Sequence, residues 1–472
     1  MNNINTYAKL PSIFYHKNLP RVPSNPKLIA YNQQLAKELN LNLNDSEILK
    51  IFSGSKLPVG FEALSMNYCG HQFGHFNPQL GDGRAHLLTE VYGLDKKLYD
   101  IQLKGSGQSN YSRRGDGLSP IGPVVREYLV SEAMEKLGVP TTRALCAVSS
   151  GDKVYREHEL PGGVLTRVSE SLLRVGHFEY YISRGDITNL KLLADYSIDR
   201  LYPELKKDSS LYFEFFKTVA RKKLDLVGKW MGLGFIHGVM NTDNTSIFGL
   251  TIDYGPCAFM DEFKQNKVFS SIDRNDRYAY NKQMEIALWN LSIFARTLFP
   301  LIENEMQLSE SEVINLIESE FKELQSYSHR VYINSFAKKF GFKKSCDKFK
   351  ILLDAFLTDM EENKRDFTNT FFQMRSLDYD NIKLKEDWLS LLKERDIEQS
   401  DAASTMSGVN PYIIPRNHQI ELAIKEVERG ELEKFNYILE AFSNPFLENP
   451  EFQKLTFSPE KSEKVYQTFC GT

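Results

Sequence analysis

The sequence predicts an α+β protein of two lobes: a mainly β N-terminal lobe over residues 1–168 with one prominent helix, and a larger, mainly helical lobe over residues 169–472. Three observations point there. Short apolar segments separated by Gly-rich turns fill the first third. The remainder carries long stretches with apolar residues at helical spacing. With 42% hydrophobic and 12% aromatic residues, the chain can build a core of that size.

The elements follow in chain order. Residues 98–103 alternate apolar and polar, as a half-buried strand does. Residues 105–117, rich in Gly, Ser and Asp, are a loop by composition. Ser119 then reads as an N-cap with Pro120 at the first helical position. Val125, Leu129, Ala133 and Leu137 recur every four residues, and Gly138 stops that helix. Strand signals return at 144–148, 153–156 and 164–168. Amphipathic helices are predicted over 213–231, 280–301, 312–324, 349–360 and 418–442. A β island interrupts them at 246–248 and 250–255, on either side of Gly249. The charged stretch 361–365 reads as a solvated helix face.

Composition narrows the function. Lys and Arg number 58 against 62 Asp and Glu, a net charge of −4, whereas nucleic-acid binders show a basic excess. No apolar run approaches the roughly 20 residues of a membrane span. The N-terminus lacks the basic start and apolar stretch of a signal peptide. The five cysteines are scattered and odd in number, without CxxC spacing, which argues against a zinc site or a disulfide framework. The expectation is a cytoplasmic protein with neither nucleic acid nor membrane as partner.

Two clusters can carry chemistry. Lys104 ends a predicted strand and Glu127 sits on the helix after it. A strand lysine steadied by a helix glutamate is how protein kinases hold nucleotide phosphates, although such pairs also occur as solvated surface residues. The second cluster is His237-Gly238-Val239-Met240-Asn241-Thr242-Asp243-Asn244, followed by Asp253-Tyr254-Gly255. Its spacing matches the kinase catalytic loop and metal-binding motif, with Asn244 and Asp253 in the metal positions. Their oxygens suit Mg²⁺, which takes one or two protein ligands plus phosphate oxygens. Read alone, the Asn-Thr-Asp-Asn run could be a turn. Val239 stands where kinases carry the catalytic aspartate, while Asp243 offers a carboxylate beside the metal position. The fold expected is therefore a protein-kinase-like bilobal one with altered chemistry.

The chain resembles the selenoprotein O family of kinase-fold protein adenylyltransferases over nearly its whole length. The carriers include Tyr68-Cys69-Gly70-His71-Gln72-Phe73-Gly74, Gln79-Leu80-Gly81-Asp82-Gly83-Arg84-Ala85 and Gln102-Leu103-Lys104-Gly105-Ser106-Gly107. Tyr111-Ser112-Arg113-Arg114-Gly115-Asp116-Gly117, Val125-Arg126-Glu127-Tyr128, Gly163-Val164-Leu165-Thr166-Arg167 and Arg277-Tyr278-Ala279-Tyr280 match as well. The resemblance implies that ATP binds reversed relative to kinases, so AMP passes to Ser, Thr or Tyr hydroxyls of proteins, the enzyme itself included. Some members are credited with UMP transfer from UTP. By matching motif, Gly81, Gly83 and Arg84 would contact the nucleotide, and Lys104, steadied by Glu127, its phosphates. Asp116 and Gly117 would meet the base and sugar end. Arg167 and Arg174 would clamp phosphates. Asp243 would be the general base, and Asn244 and Asp253 would hold Mg²⁺ or Mn²⁺. Arg113 and Arg114 suit solvent or acceptor contacts equally. His71 and His75 read as structural, and Tyr68, Phe73 and Phe76 as core. The resemblance implies a tail cysteine that some members join to one in the activation loop; here the tail carries Cys470 and the matching loop position is Phe269, which speaks against redox control through that disulfide. Two readings compete: an ordinary phosphotransferase, which Val239 opposes, and a non-catalytic nucleotide-binding scaffold.

Overall fold

The computed structural model describes residues 4–469; Cys470 lies outside them. The chain is a mixed α+β structure built on an antiparallel sheet of eight strands. Seven run in the order Tyr15–Lys17, Leu64–Met66, Ala85–Tyr92, Leu98–Lys104, Glu159–Ser169, Arg143–Tyr155 and Lys27–Tyr31. The two-residue strand Ser119–Pro120 pairs alongside Glu159–Ser169. Two of the expected strands, 144–148 and 153–156, belong to one strand, Arg143–Tyr155, which pairs with Glu159–Ser169 on both sides of a register shift where Gly151 takes a left-handed φ of 75°.

Register sets the site. Lys104 lies opposite Leu165, and Gln102 opposite Arg167. Directly opposed residues share a face, so these side chains point together toward the Ile121–Lys136 helix. A bulge between Thr166 and Arg167 adds local twist at that point. The other face carries Ile101, Leu103, Val164 and Val168, buried against Leu35, Ile48 and Phe52 of two short helices, Gln33–Glu38 and Asp45–Phe52. The strand expected to be half-buried is thus covered on both faces, with Asp100 through Leu103 all buried. Alternating sequence polarity reflects a charged site on one side, not solvent.

The prominent helix runs Ile121–Lys136, and Val125, Leu129 and Ala133 lie in its core as their spacing requires. Its start differs from expectation. Ser119 and Pro120 form a strand with Gly162 and Gly163, and no side chain caps the helix. Its outer face is covered as well. Ile420, Ala423 and Ile424 from near the end of the chain pack on it, with Phe435 against Tyr128. These residues belong to two helices, Asn417–Glu428 and Glu433–Ala441, where one was expected. Gly430, at φ 86°, breaks them.

The remaining helices pack around a second core with Trp230, Phe216, Phe294, Phe340 and Trp388 at its centre. The helical stretch Tyr280–Met306 is long and apolar enough, by length and composition, to cross a membrane, with a mean hydropathy of 1.2 in its most apolar window. Of that apolar stretch 61% is buried, and the helix packs on Leu211–Gly232, Val175–Ile182 and Glu310–Ala337. Its apolarity therefore serves a protein core. The stretch 361–365 is the end of the Asp347–Glu362 helix plus a turn, where Arg365 ion-pairs with Asp359 and Asp380.

The expected β island is absent as strand. Residues 246–255 make single bridges only, Ser246 to Arg174 and Thr251 to Thr141. Ile247 and Ile252 are buried, so apolar alternation arises without a ladder. A short pair, Phe235–Ile236 with Ala258–Phe259, closes the base of this loop instead.

Candidate active site

A cavity of about 440 Å³ opens between the sheet and the helices. Gly81, Gly83, Arg84, Lys104, Asp116, Gly117, Arg167, Arg174, Asp243, Asn244 and Asp253 all line it. Glu127 stands behind, reaching the cavity through Lys104 and Arg167. The nominated residues are brought to one place, with Lys104 and Asp253, 149 positions apart in the chain, in direct contact.

At its buried end three cations converge on one carboxylate. Lys104 Nζ donates to Asp253 Oδ1 at 2.6 Å and to Glu127 Oε2 at 2.7 Å. Arg167 Nη2 lies 2.6 Å from Asp253 Oδ1, and its Nε and Nη2 both donate to Glu127 Oε1. Arg174 Nη1 sits 3.1 Å from Asp253 Oδ2 and also donates to the Asp243 carbonyl. Burial alone would raise the Asp253 pKa, but Arg167, Lys104 and Arg174 hold it well below the usual carboxylate range. Glu127 is held low in the same way, against burial, by Arg167 and Lys104. Arg174 is 4% exposed, which removes the alternative of a solvent-facing helix residue.

Glu127 therefore positions two cations rather than one. Lys104→Met is expected to lower transfer by about 10²–10³-fold. Glu127→Gln in that background should still cost activity, because Arg167 loses its partner too. Rates of the four proteins in a double-mutant cycle check this. Fully additive losses would show that the Lys104–Glu127 contact orients nothing.

Asp253 is in loop, not at a strand end, and its φ of 64° is left-handed. Aspartate tolerates that conformation better than most residues, and such strain persists where surroundings over-determine it. His237 helps: its buried, neutral ring, pushed down to about 4 by burial, donates from Nε2 to the Ile252 carbonyl at 2.9 Å. His237 thus orders the loop rather than touching the cavity.

Asp243 differs from Asp253. One carboxylate oxygen accepts from Gln72 Nε2 at 3.0 Å, and the other is buried without a hydrogen-bond partner. Burial raises its pKa to about 6, against the opposing pull of Gln72 and Arg174. Val239, in the kinase base position, lines the same cavity as a buried apolar side chain. Asn244 donates Nδ2–H to the Val239 carbonyl at 3.1 Å, which leaves Oδ1 as its free end. Asn244 and Asp253 line the same cavity, and amide and carboxylate oxygens are the donor type that Mg²⁺ or Mn²⁺ takes. No group of three or more His, Cys, Asp or Glu among the described residues offers an all-protein cage.

The cavity's outer end is built from the 105–117 loop. A Cβ on Gly81 would fall 2.4 Å from the Tyr111 ring, and one on Gly117 2.1 Å from the Gly107 carbonyl, so only glycine fits. Arg84 keeps one buried guanidinium nitrogen without a partner. Asp116 is held bidentately by Arg156, at 2.9 and 3.1 Å, which lowers its pKa. Arg113 lines the cavity; Arg114 is exposed and does not. The sequence reading missed Arg156, which carries no motif signal, and Gln72 and Asp82, which lie inside quoted motifs. Asp82 is buried, raised to about 6 by that burial, and accepts from Gln102 at 3.1 Å.

Tyr68 is buried at the cavity wall under the Arg174 guanidinium, and Phe73 is partly buried, while Phe76 is 42% exposed and not core. His71 pairs with Glu179 at 2.6 Å and His75 is exposed. Phe269 is buried, and the tail docks on it: Thr468 N–H donates to the Phe269 carbonyl and Ser271 N–H to the Thr468 carbonyl.

The family model described as protein adenylyltransferase SelO matches residues 1–443. A protein nucleotidyltransferase YdiU of Maridesulfovibrio salexigens is 45% identical, covering 99% of this chain and 98% of the relative. Its namesakes in Clostridium perfringens and Agrobacterium fabrum are 42% and 44% identical, over 99% of this chain and 97% and 99% of theirs. The chain belongs to the SelO family of protein adenylyltransferases.

Proposed function

We propose that the protein transfers AMP from ATP to Ser, Thr or Tyr hydroxyls of proteins, itself included, within a kinase-like bilobal cleft that binds the nucleotide reversed. The observation that carries this is the division of labour between two aspartates. Asp253 is wrapped by three cations, whereas Asp243 keeps a free, buried carboxylate oxygen beside the cavity.

The polarity of the cleft supports reversed binding. Its closed end, with Arg167 at 1% and Arg174 at 4% exposure, offers charge rather than an apolar slot for a base. Phosphates would replace Asp253 as partners of Lys104, Arg167 and Arg174, releasing its carboxylate. Base and sugar then lie toward Gly117, Asp116 and Arg156, with Gly81, Gly83 and Arg84 along the phosphate chain. Asn244 and Asp253 would hold Mg²⁺ or Mn²⁺, which when bound neutralises charge on the phosphates.

The acceptor hydroxyl gives its proton to Asp243 as its oxygen bonds to the α-phosphorus. The bond from that phosphorus to the β-phosphate oxygen breaks, and pyrophosphate leaves. Three buried thiols without disulfide partners, Cys69, Cys146 and Cys257, suit a reducing, cytoplasmic setting.

ATP labelled separately at the α and γ positions tests the reading. Label is expected to enter protein from the α position only, with an AMP mass increment on the intact acceptor. Entry from γ alone would overturn it in favour of a kinase, and entry from neither would favour a scaffold. The same measurement with α-labelled UTP decides the donor.

A further inference from the structure

A second cavity, of about 430 Å³, adjoins the nucleotide cleft. Phe73 and Ile272 line both, so the two are separated by a single ridge. Arg274, Arg277 and Lys282 give the second cavity its charge. Of its acids, Asp273 is engaged internally, accepting from the Arg277 and Tyr278 backbone N–H groups at 3.0 and 2.7 Å. Glu285 is exposed and forms no ion pair with these cations.

Arg277 is the unusual member. Its guanidinium lies 4.6 Å over the Trp289 ring and closes against Gly74, where a Cβ would sit 3.5 Å from Cζ. Nε and Nη2 are buried without a hydrogen-bond partner. Arginine pairs with no carboxylate here among the described residues, although leaving buried donors unmade costs free energy. Swung off Trp289 toward the cavity, the planar fork would bring those two donors to the two oxygens of a carboxylate.

This cavity is tied to the chemistry. Tyr278, next in sequence, donates its hydroxyl to Asn241 Oδ1 at 2.6 Å. Phe73 N–H donates to the same Asn241 oxygen, and Gln72 holds Asp243. A polypeptide lying across the Phe73–Ile272 ridge would reach Asp243 on one side and Arg277 on the other. Ile272, 53% exposed, offers it an apolar contact. The nucleotide's phosphates have their own cations in the cleft, on the far side of that ridge.

We propose that this cavity reads an Asp or Glu side chain on the acceptor protein, a few residues from the modified hydroxyl, with Arg277 as its bidentate partner. The proposal rests on the adenylyltransferase reading and adds a substrate class to it: hydroxyls in acidic surroundings.

The test uses the full chain, α-labelled ATP and peptides with one Tyr or Ser flanked by Glu, Gln or Lys at successive positions. Glu peptides are expected to show kcat/KM about tenfold above their Gln counterparts, carried by KM. Arg277→Gln should erase that preference while ATP affinity, measured by calorimetry, holds. Arg277→Glu should invert it toward Lys peptides, a result no misfolded protein can give. Equal modification of Glu and Gln peptides by the natural protein, or a preference that survives Arg277→Gln, would overturn the proposal. Intact ATP binding with no α-label on any peptide or on the enzyme would overturn the adenylyltransferase reading, and this one with it.

Discussion

Asp253→Ala should abolish transfer, by about three orders of magnitude or more, and should also lower the melting temperature of the nucleotide-free protein. Two losses combine. The carboxylate is one of two oxygen groups that suit the divalent ion, and such an ion contributes several kcal/mol of charge stabilisation, where each 1.36 kcal/mol is about tenfold in rate. The same carboxylate is the shared counterion of Lys104, Arg167 and Arg174. Removing one partner of a buried ion network costs about 3–5 kcal/mol because the charges left behind are unpaired. Alanine also tolerates the φ of 64° at this position less well than aspartate. Asp253→Asn separates the causes: it keeps the backbone preference and the volume and loses only the charge. Transfer should fall in both variants, and the metal dependence of ATP binding should disappear in both. Natural rates in either would refute the metal assignment.

Asp243→Ala is expected to leave ATP affinity within about threefold of the natural protein while transfer falls by about 10²–10⁴. The Asp243 carboxylate accepts its hydrogen bond from Gln72, and its link to Arg174 runs through the backbone carbonyl, which alanine retains. The three cations around Asp253 therefore keep their places. Binding by calorimetry and transfer by α-label give the two readouts. Restoring aspartate at Val239 in this background should not restore transfer of either group, since the nucleotide would still present its α-phosphate. Appreciable transfer by Asp243→Ala would remove Asp243 as the base.

How far the site was legible depended on what kind of signal each residue carried. Lys104, Asp243, Asn244 and Asp253 could be found because their chemistry demands particular residue types at ordered spacings. Arg277 was visible as a motif but not as a site, because only folding sets it on Trp289 with two donors unmade. Arg156 had no local signal; its partner Asp116 is 40 positions away. The fold shows the same divide. Helical periodicity located Leu211–Gly232 and Gln283–Met306, since a long amphipathic repeat records the buried face directly. The stretch 250–255 misled, because burying Ile252 beside Thr251 produces alternation whether or not a strand lies alongside. The segment 418–442 misled because both of its helices bury apolar faces in the same cluster, so the pattern runs past the break at Gly430.

By itself the sequence determined the inventory: a strand lysine, a helix glutamate, a loop aspartate beside an asparagine, arginines for phosphates, and alternating lengths of strand and helix. These are properties of neighbours, carried by periodicities of two and of about 3.6 residues and by short spacings. Only the tertiary structure decided that Arg167 shares Glu127 with Lys104, that three cations meet on Asp253, and that Asp243 keeps one oxygen free. Those facts are distances between residues up to 171 positions apart, set by sheet register and by which helix covers which face. Pair energies in a desolvated cluster depend steeply on such distances, so the chemistry that residue types allow becomes one particular site only when packing fixes them.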